Sequence, residues 1–327
     1  MSQGYTAADV FAGGGGFSRG FEEAGFRVRV AIDNYPPAAR TYKANFPHTA
    51  FIADDVKEVG LEEISSVSGL SPGEVDVVIA SPPCEPFTGA NPRRMERPLD
   101  RLYRDPAGQL FLHAIRLIGL LKPRFFVIEN VPGIAHPEIE RAVRMELSKA
   151  GYRRVYFNLL RAEEHGTPSR RLRVFVSNAR LRPPRRRGPS VGEVLKDLPE
   201  PGAAWPPNHE APPELPARKM RRAARLRAGE GLIQFQGAGG RRIPNYIRLD
   251  PDAPAPTVMG SRRFIHPWQD RLLTVREQAR LMGFPDYHIF LGSRDAQYNM
   301  VGEAVPPPLA KAIAEYLAAL LEDERGV

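Results

Sequence analysis

Apolar and polar positions change their period several times along the chain, and these changes mark its elements. Short apolar runs at Ala7–Phe11, Arg27–Ile32, Thr49–Ala53, Val75–Ala80 and Arg124–Ile128 have strand length and end at a charge or a turn signal. Segments with helical spacing lie between or after them, at Ser18–Ala24, Pro36–Phe46, Gln109–Leu121 and Glu138–Ala150. Arg153–Leu159 and Arg171–Val176 read as two further strands, the second with its arginines on alternate positions and so on one face. Strands alternating with helices through residue 178 predict an α/β fold, a doubly wound, Rossmann-like sheet.

The alternation then breaks. Prolines are dense from Pro183 to Pro216, as in a loop-rich insertion, and Arg218–Arg227 is a basic helical patch. Gly229–Gly240 reads as too glycine-rich for regular core, with regular structure resuming near Ile243 and helices expected at Thr274–Met282 and Pro308–Leu321. The expected organisation is a first domain over residues 1–179, a small second domain over 180–265, and a segment 266–327 that returns to the first.

Charge sharpens this division. The net charge is +8, and between Arg180 and Arg248 fifteen Arg or Lys face six Asp or Glu, so the basic excess lies in the insertion and the remainder sums to about minus one. Such a local surplus is the footprint of a face that binds a polyanion, or else of a solvated arginine-rich loop. Hydrophobic residues make up 42% of the 327, ample for a packed core, and no apolar run approaches the roughly 18 residues of a membrane span. No signal-peptide pattern opens the chain, so a soluble cytoplasmic protein is expected. One cysteine, Cys84, excludes an internal disulfide and a cysteine-rich zinc site; no metal is expected, and Cys84 is left with inert packing or thiolate chemistry.

Its neighbours favour chemistry. Cys84 follows a strand behind Pro82 and Pro83, which fix the backbone where open α/β sheets present their reactive groups. Ala12-Gly13-Gly14-Gly15-Gly16 forms a glycine turn between strand and helix, with Asp33 about 20 residues on, an arrangement that sets backbone N–H groups against a polar ligand and a carboxylate against ribose hydroxyls. Asp9, Asp55 and Glu129 fall at strand ends on the same edge of the sheet. The loop after Cys84, from Glu85 to Arg104, carries Arg93, Arg94 and Arg97 among prolines and reads as a mobile surface segment.

Six motifs in order now resemble the cytosine-C5 methyltransferases along nearly the whole chain: Asp9–Phe17, Pro82-Pro83-Cys84, Glu129-Asn130-Val131, Arg171 with Arg173 after Gly166-Thr167-Pro168, Leu273–Pro285, and Val301–Pro307. The resemblance implies S-adenosylmethionine as cofactor and a flipped cytosine as substrate. It makes Cys84 the nucleophile toward C6, puts Glu129 at N3, and has Arg171 and Arg173 hold O2 and the nearby backbone. Phe11, Ala12, Gly13, Gly15, Gly16 and Phe17 would frame the methionine part with Asp9 and Pro82; Asp33 and Asn34 would hold the ribose, and Asp55 and Val56 the adenine edge. Glu303 and Ala304 would complete the cofactor site. The basic insertion falls where this family keeps its target-recognition domain, and Arg241 and Arg242, flanked by glycines, are expected to enter a groove. Ser169 stands where the family usually has Gln, and Glu303 where it usually has Asn, both expected to tune packing or cofactor affinity.

The partner so implied is double-stranded DNA, bound by a monomer located in the cytoplasm or on the nucleoid, with a cognate restriction endonuclease as a further partner. The spelling Ser81-Pro82-Pro83-Cys84 through Thr88 is similar to the branch that methylates transfer RNA, but the second cysteine of that branch is missing. A non-catalytic relative that only binds cytosine-containing nucleic acid is the third reading, against which stand Cys84, Glu129 and the glycine turn together.

Overall fold

The computed structural model describes residues 4–325. Strands β1 (Thr6–Val10), β2 (Arg27–Ile32), β3 (Ala50–Ile52), β4 (Val77–Ala80), β5 (Phe125–Asn130), β6 (Tyr156–Arg161) and β7 (Leu172–Ser177) form one sheet, in the order β3-β2-β1-β4-β5-β7-β6. The first five are parallel, while β7 runs antiparallel to both β5 and β6. The sheet is therefore a mixed α/β sheet of the Rossmann-like kind. The alternation that reveals its strands does not reveal that the last two form an antiparallel pair, because only a short connection, with no crossover helix, joins them.

Helices α1 (Gly16–Glu23), α2 (Pro36–Asn45), α3 (Leu61–Ser68), α4 (Pro98–Tyr103), α5 (Pro106–Leu121) and α6 (Pro137–Lys149) connect these strands. Two of them were not expected. Helix α3 is short and half polar, and α4 lies inside the arginine-studded loop read as mobile. There Arg101 is buried and donates from Nε to Met95 O (2.6 Å) and from Nη2 to Glu96 O (2.7 Å), tying the loop back onto itself.

Strand pleating sends alternate residues to opposite faces, and each face is covered. Ala8, Val10, Val78, Ala80 and Ile128 pack beneath α5 and α6 with Phe111, Ile118 and Val143. Ala7, Val77, Ile79 and Val127 pack on the other face with Phe17, Phe21, Leu309 and Ile313. Each fully buried Val, Leu, Ile or Phe among them contributes about 1.5–3 kcal/mol, so the two faces fix the register of the sheet and with it the edge where the site lies.

Beyond β7 come α7 (Val191–Leu195), α8 (Ala217–Ala223), β8 (Gly231–Gln236), β9 (Arg242–Arg248), β10 (Phe264–Ile265), α9 (Val275–Leu281), α10 (Arg294–Glu303) and α11 (Pro307–Arg325). Strands β8, β9 and β10 form a second sheet in the order β10-β9-β8. β8 occupies the stretch read as too glycine-rich for regular structure: its ladder to β9 needs only backbone, and Leu232 anchors it. The second sheet is not packed in isolation, since Ile247, Leu249 and Phe264 share one buried cluster with Val191, Leu195 and residues of α9 and α10. Helix α11 returns to the main sheet against α1. At Gly20 a Cβ would lie 2.4 Å from Ala310 Cβ and 2.5 Å from Pro307 O, so the close approach of these helices requires glycine.

Candidate active site

Strands β1 and β4 are neighbours in the sheet, but the chain leaves β1 toward β2 on one side and β4 toward β5 on the other. Such a reversal opens a crevice at the carboxyl ends of the strands. The glycine turn follows β1 and the Cys84 stretch follows β4, so both predicted motifs line one crevice. Ser81 joins them, donating from its backbone N–H to Val10 O (3.1 Å) and from Oγ to Phe11 O (2.9 Å).

The turn is built on left-handed backbone at Phe11 (φ 63°), Gly13 (φ 53°) and Gly15 (φ 83°). A Cβ on Gly15 would collide with Phe46, whereas one on Gly13 would meet nothing within 4 Å, so Gly13 faces an open cradle. Asp33 shapes that cradle by accepting the Gly13 N–H (2.8 Å) on one oxygen and the Tyr35 N–H (2.8 Å) on the other. Burial raises the Asp33 carboxyl above its usual range against the effect of these two donors. Asp9 lies beneath, fully buried, accepting Ser18 Oγ at 2.5 Å while its Oδ1 has no partner. Its carboxyl is pushed up to about 7, by burial first and by the nearby Asp33 charge.

Around the cysteine, Cys84 O accepts the N–H groups of Phe87 and Thr88, both at 3.0 Å, and closes a tight turn. The Phe87 carbonyl is pressed so closely on Gly133 that a Cβ there would lie 2.0 Å from it. Asn130 donates from Nδ2 to Pro82 O (3.1 Å), fastening the stretch to the end of β5. Cys84 itself is half-buried. Burial raises its thiol to about 11; the Glu129 and Glu85 charges add to the rise, and Arg173 and Arg171 oppose it. In this state the sulfur is a protonated thiol.

Glu129 on β5 is buried, with Oε1 2.8 Å from Arg173 Nε. The N–H does not point at that oxygen, so Oε1 is ion-paired yet accepts no hydrogen bond. Arg173 lies on β7 and Arg171 immediately precedes it, so the strand read as beginning at Arg171 begins one residue later. Their tasks differ. Arg171 is buried and donates from Nη1 to Val258 O (3.1 Å) and Gly302 O (3.0 Å), and from Nη2 to Glu303 O (3.5 Å), leaving Nε without a partner. Its guanidinium is pulled down to about 9 by burial and by Arg173, and so stays charged at neutral pH. Arg171, expected at the base, thus spends most of its donors holding the C-terminal segment onto β7; the carbonyls lie within its reach and satisfy a charge that would otherwise be buried unpaired.

That anchoring delivers Glu303 to the same crevice. Its carboxyl meets solvent at the rim, accepts Asn299 Nδ2 at 2.9 Å, and is pushed up to about 7 by burial and by the Glu85 charge. Ala304 packs over the turn, since a Cβ on Gly16 would come within 3.0 Å of it.

Not every expected cofactor residue faces the crevice. Phe17 is buried against Phe21 and Phe175, on the sheet face opposite the cluster that Phe11 and Cys84 touch, so its side chain is core. Val56 is likewise a core side chain, and Ala12 packs against Ala31, Tyr42 and Phe46; each leaves only backbone for a ligand. Asn34 is exposed, and Asp55 is half-exposed beside Lys57 at 3.9 Å.

Among the expected polynucleotide contacts, Arg93 and Arg97 are exposed, and Arg94 reaches back to Phe87 O (3.5 Å). Arg241 and Arg242 are exposed at the tip of the β8–β9 hairpin, whose Ala238 N–H donates to Gly89 O (2.9 Å) in the loop after Cys84. The basic hairpin and the cysteine loop therefore meet. Sequence reasoning missed the buried supports of the turn, Tyr42 and His288, because isolated residues of these types carry no short-range signal, and it gave no role to the buried Arg276 inside the Leu273–Pro285 motif.

A glycine cradle, an acid after β2, and a cysteine, a glutamate and an arginine from β4, β5 and β7 and their ends thus meet at one edge of a Rossmann-like sheet. The chain belongs to the C-5 cytosine-specific DNA methylase family, whose pattern matches residues 5–198 and 211–319. It is 43% identical to the putative type II methyltransferase M.MJ0563P of Methanocaldococcus jannaschii, over 94% of this chain and 97% of that one. It is 32% identical to the type II methyltransferase M1.HphI of Haemophilus parahaemolyticus, over 98% and 88%. Its fold is similar to that of a prophage-encoded putative DNA modification methyltransferase of E. coli, with TM-score 0.77 and 26% identity over 97% and 99% of the two chains. The Dnmt2 methyltransferase of S. pombe shares the fold, with TM-score 0.62 and 17% identity over 98% and 99%. Among the described residues no group of acidic, His and Cys side chains is gathered as for a metal, and no helix is long and apolar enough to cross a membrane.

Proposed function

We propose that this protein methylates C5 of cytosine in double-stranded DNA through a covalent bond from Cys84 to C6, with residues 180–265 as the target-recognition domain. The observation that carries this reading is the convergence of Cys84, Glu129 and Arg173 beside the glycine cradle in one crevice. S-adenosylmethionine would supply the electrophilic methyl group. The open cradle above Gly13, the paired N–H groups on Asp33 and the half-filled hydrogen bonding of Asp9 suit a nucleoside cofactor there.

Carbon 5 of cytosine is a weak nucleophile, and the residues supply what it lacks. The sulfur, its proton passed to solvent, adds to C6; the C5–C6 π electrons shift to C4–C5, and N3 takes a proton from Glu129 in its acid form. Carbon 5 then takes the methyl group, whose donor would be released as S-adenosylhomocysteine; loss of the C5 proton to water re-forms the C5–C6 double bond, expels the sulfur, and N3 returns its proton to Glu129. The charges explain when the thiol ionises. Glu129 as a carboxylate raises Cys84; Glu129 hydrogen-bonded as an acid to N3 no longer does, and Arg173 and Arg171 then favour the thiolate. Nucleophile formation is tied to the arrival of the base, which must leave the duplex stack to reach this site, at a cost of a few kcal/mol.

Labelled S-adenosylmethionine should transfer to duplex DNA, and Cys84→Ala should abolish transfer while still binding cofactor. Turnover in that variant would exclude the covalent route. The spelling from Ser81 to Thr88 supports transfer RNA as a second substrate reading; label in transfer RNA alone would decide for it.

A further inference from the structure

A strap of the C-terminal segment, Pro285–Leu291, runs between the glycine turn and the proline-rich insertion. At one end His288, fully buried, has Nε2 2.8 Å from Gly14 O, while its Nδ1 receives Arg19 Nε at 3.4 Å. Because Arg19 can only donate, Nδ1 is the acceptor and the proton sits on Nε2, pointing at the turn. Phe284 and Phe290 hold the ring at centroid distances of 4.8 and 5.0 Å, and Phe290 also lines the space above Gly14.

At the other end stands Arg276, also fully buried. It donates to His288 O (2.6 Å), Pro285 O (3.0 Å) and Pro207 O (2.9 Å), and its own N–H goes to Asn208 O (2.8 Å). Asn208 answers by pairing with Phe290 through both backbone groups, at 2.8 Å each. Two residues of the insertion are thus locked to the strap that locks the turn. The links through His288, Phe290 and the Asn208 side chain are hydrogen bonds between buried groups, so none of these can shift without leaving a polar group unsatisfied, while those to Pro207 O and Pro285 O are half-buried.

We propose that His288 is a positioning residue for the cofactor, setting the Gly14 carbonyl and hence the glycine turn, and that Arg276 couples this position to the Pro207–Asn208 segment of the insertion. Cofactor binding at the turn and the state of the insertion then share one free energy, and each strengthens the other. This deepens the methyltransferase reading and rests on it.

The test uses the whole protein and S-adenosylhomocysteine as the probe. His288→Phe keeps the ring and removes the donor; His288→Gln returns an N–H at the Nε2 position. Titration calorimetry should show the Phe variant binding the probe about tenfold more weakly and the Gln variant within about threefold of the parent. Equal affinity in a folded Phe variant, or a Gln variant as weak as the Phe variant, overturns the positioning role. Hydrogen exchange on the unaltered protein reads the coupling without any substitution: the probe should slow exchange at 285–291 and at 205–209 as well as at 11–17. Protection confined to 11–17 overturns the coupling. Failure of the unaltered protein to bind the probe would instead overturn the cofactor reading itself.

Discussion

Cys84 offers an unusually direct test of the proposed charge arrangement, because it is the only cysteine in the chain and any thiol reagent reports on it alone. Its thiol stands at about 11 against an ordinary 9.0. At pH 8 about one molecule in a thousand then carries the thiolate, where an ordinary thiol would have about one in ten. The hundredfold loss of thiolate is offset in part because a more basic thiolate is the better nucleophile. With a Brønsted slope near 0.4–0.5, alkylation should be slower by about tenfold overall. Iodoacetamide labelling followed by intact mass gives the rate, and the shape of its pH profile is the informative quantity, since half-burial slows reagent access at every pH. The rate should climb about tenfold per pH unit from pH 7 to 10 without levelling. Glu129→Gln removes the charge that ranks second among the causes, so it should speed labelling at pH 8 several-fold while stopping methyl transfer. A plateau below pH 8.5 in the parent protein, or unchanged labelling in the Gln variant, would refute the reasoning that the free enzyme keeps its nucleophile protonated through burial and Glu129.

Three further outcomes are expected. Asp9, raised from 3.8 to about 7, binds its proton more tightly folded than unfolded, so its contribution to stability is complete below about pH 4 and is lost as pH rises through 7, by at most about 4 kcal/mol. Asp9→Asn should therefore gain stability relative to the parent at pH 8 but not at pH 4, as read by urea unfolding; an equal effect at both would contradict it. Arg171→Leu strips hydrogen bonds from three carbonyls and should cost about 3 kcal/mol or more, seen as a clear drop in Tm, with no drop if the tether is unimportant. Replacing Arg241 and Arg242 by Ala should flatten the dependence of duplex binding on salt, lowering the log–log slope by about 1.8 if each meets a phosphate, and leaving it unchanged if neither does.

What the sequence made legible follows from the range of the forces involved. Strand period and turn chemistry are local, so the glycine turn, Cys84 and Glu129 are legible in the sequence as lying at strand ends on one edge of a sheet, whereas the strand order is not. Local pattern also put Arg171 and Arg173 on one face, yet it could not show where Arg171 would find its acceptors, which lie 87, 131 and 132 residues further along the chain. The same holds for Phe17, whose place in a glycine motif says cofactor while its burial under α11 says core. It also holds for His288, separated by 274 residues from the carbonyl it holds.

These long separations show which parts of the chain must come together to complete the site. The glycine turn follows β1 and the cysteine stretch follows β4, but the crevice they line is not complete until α10 and the strap have returned, because Arg171 is satisfied by Val258, Gly302 and Glu303 and the Gly14 carbonyl by His288. Contacts of such range carry a large loop-closure entropy, which the equally long-range packing of α11 on α1 offsets. Residues 180–265 lie inside that loop and dock through Pro207 and Asn208 onto the strap that holds the turn. Residues 180–265, proposed above as the target-recognition domain, are thereby held to a fixed geometry where Pro207 and Asn208 meet the strap.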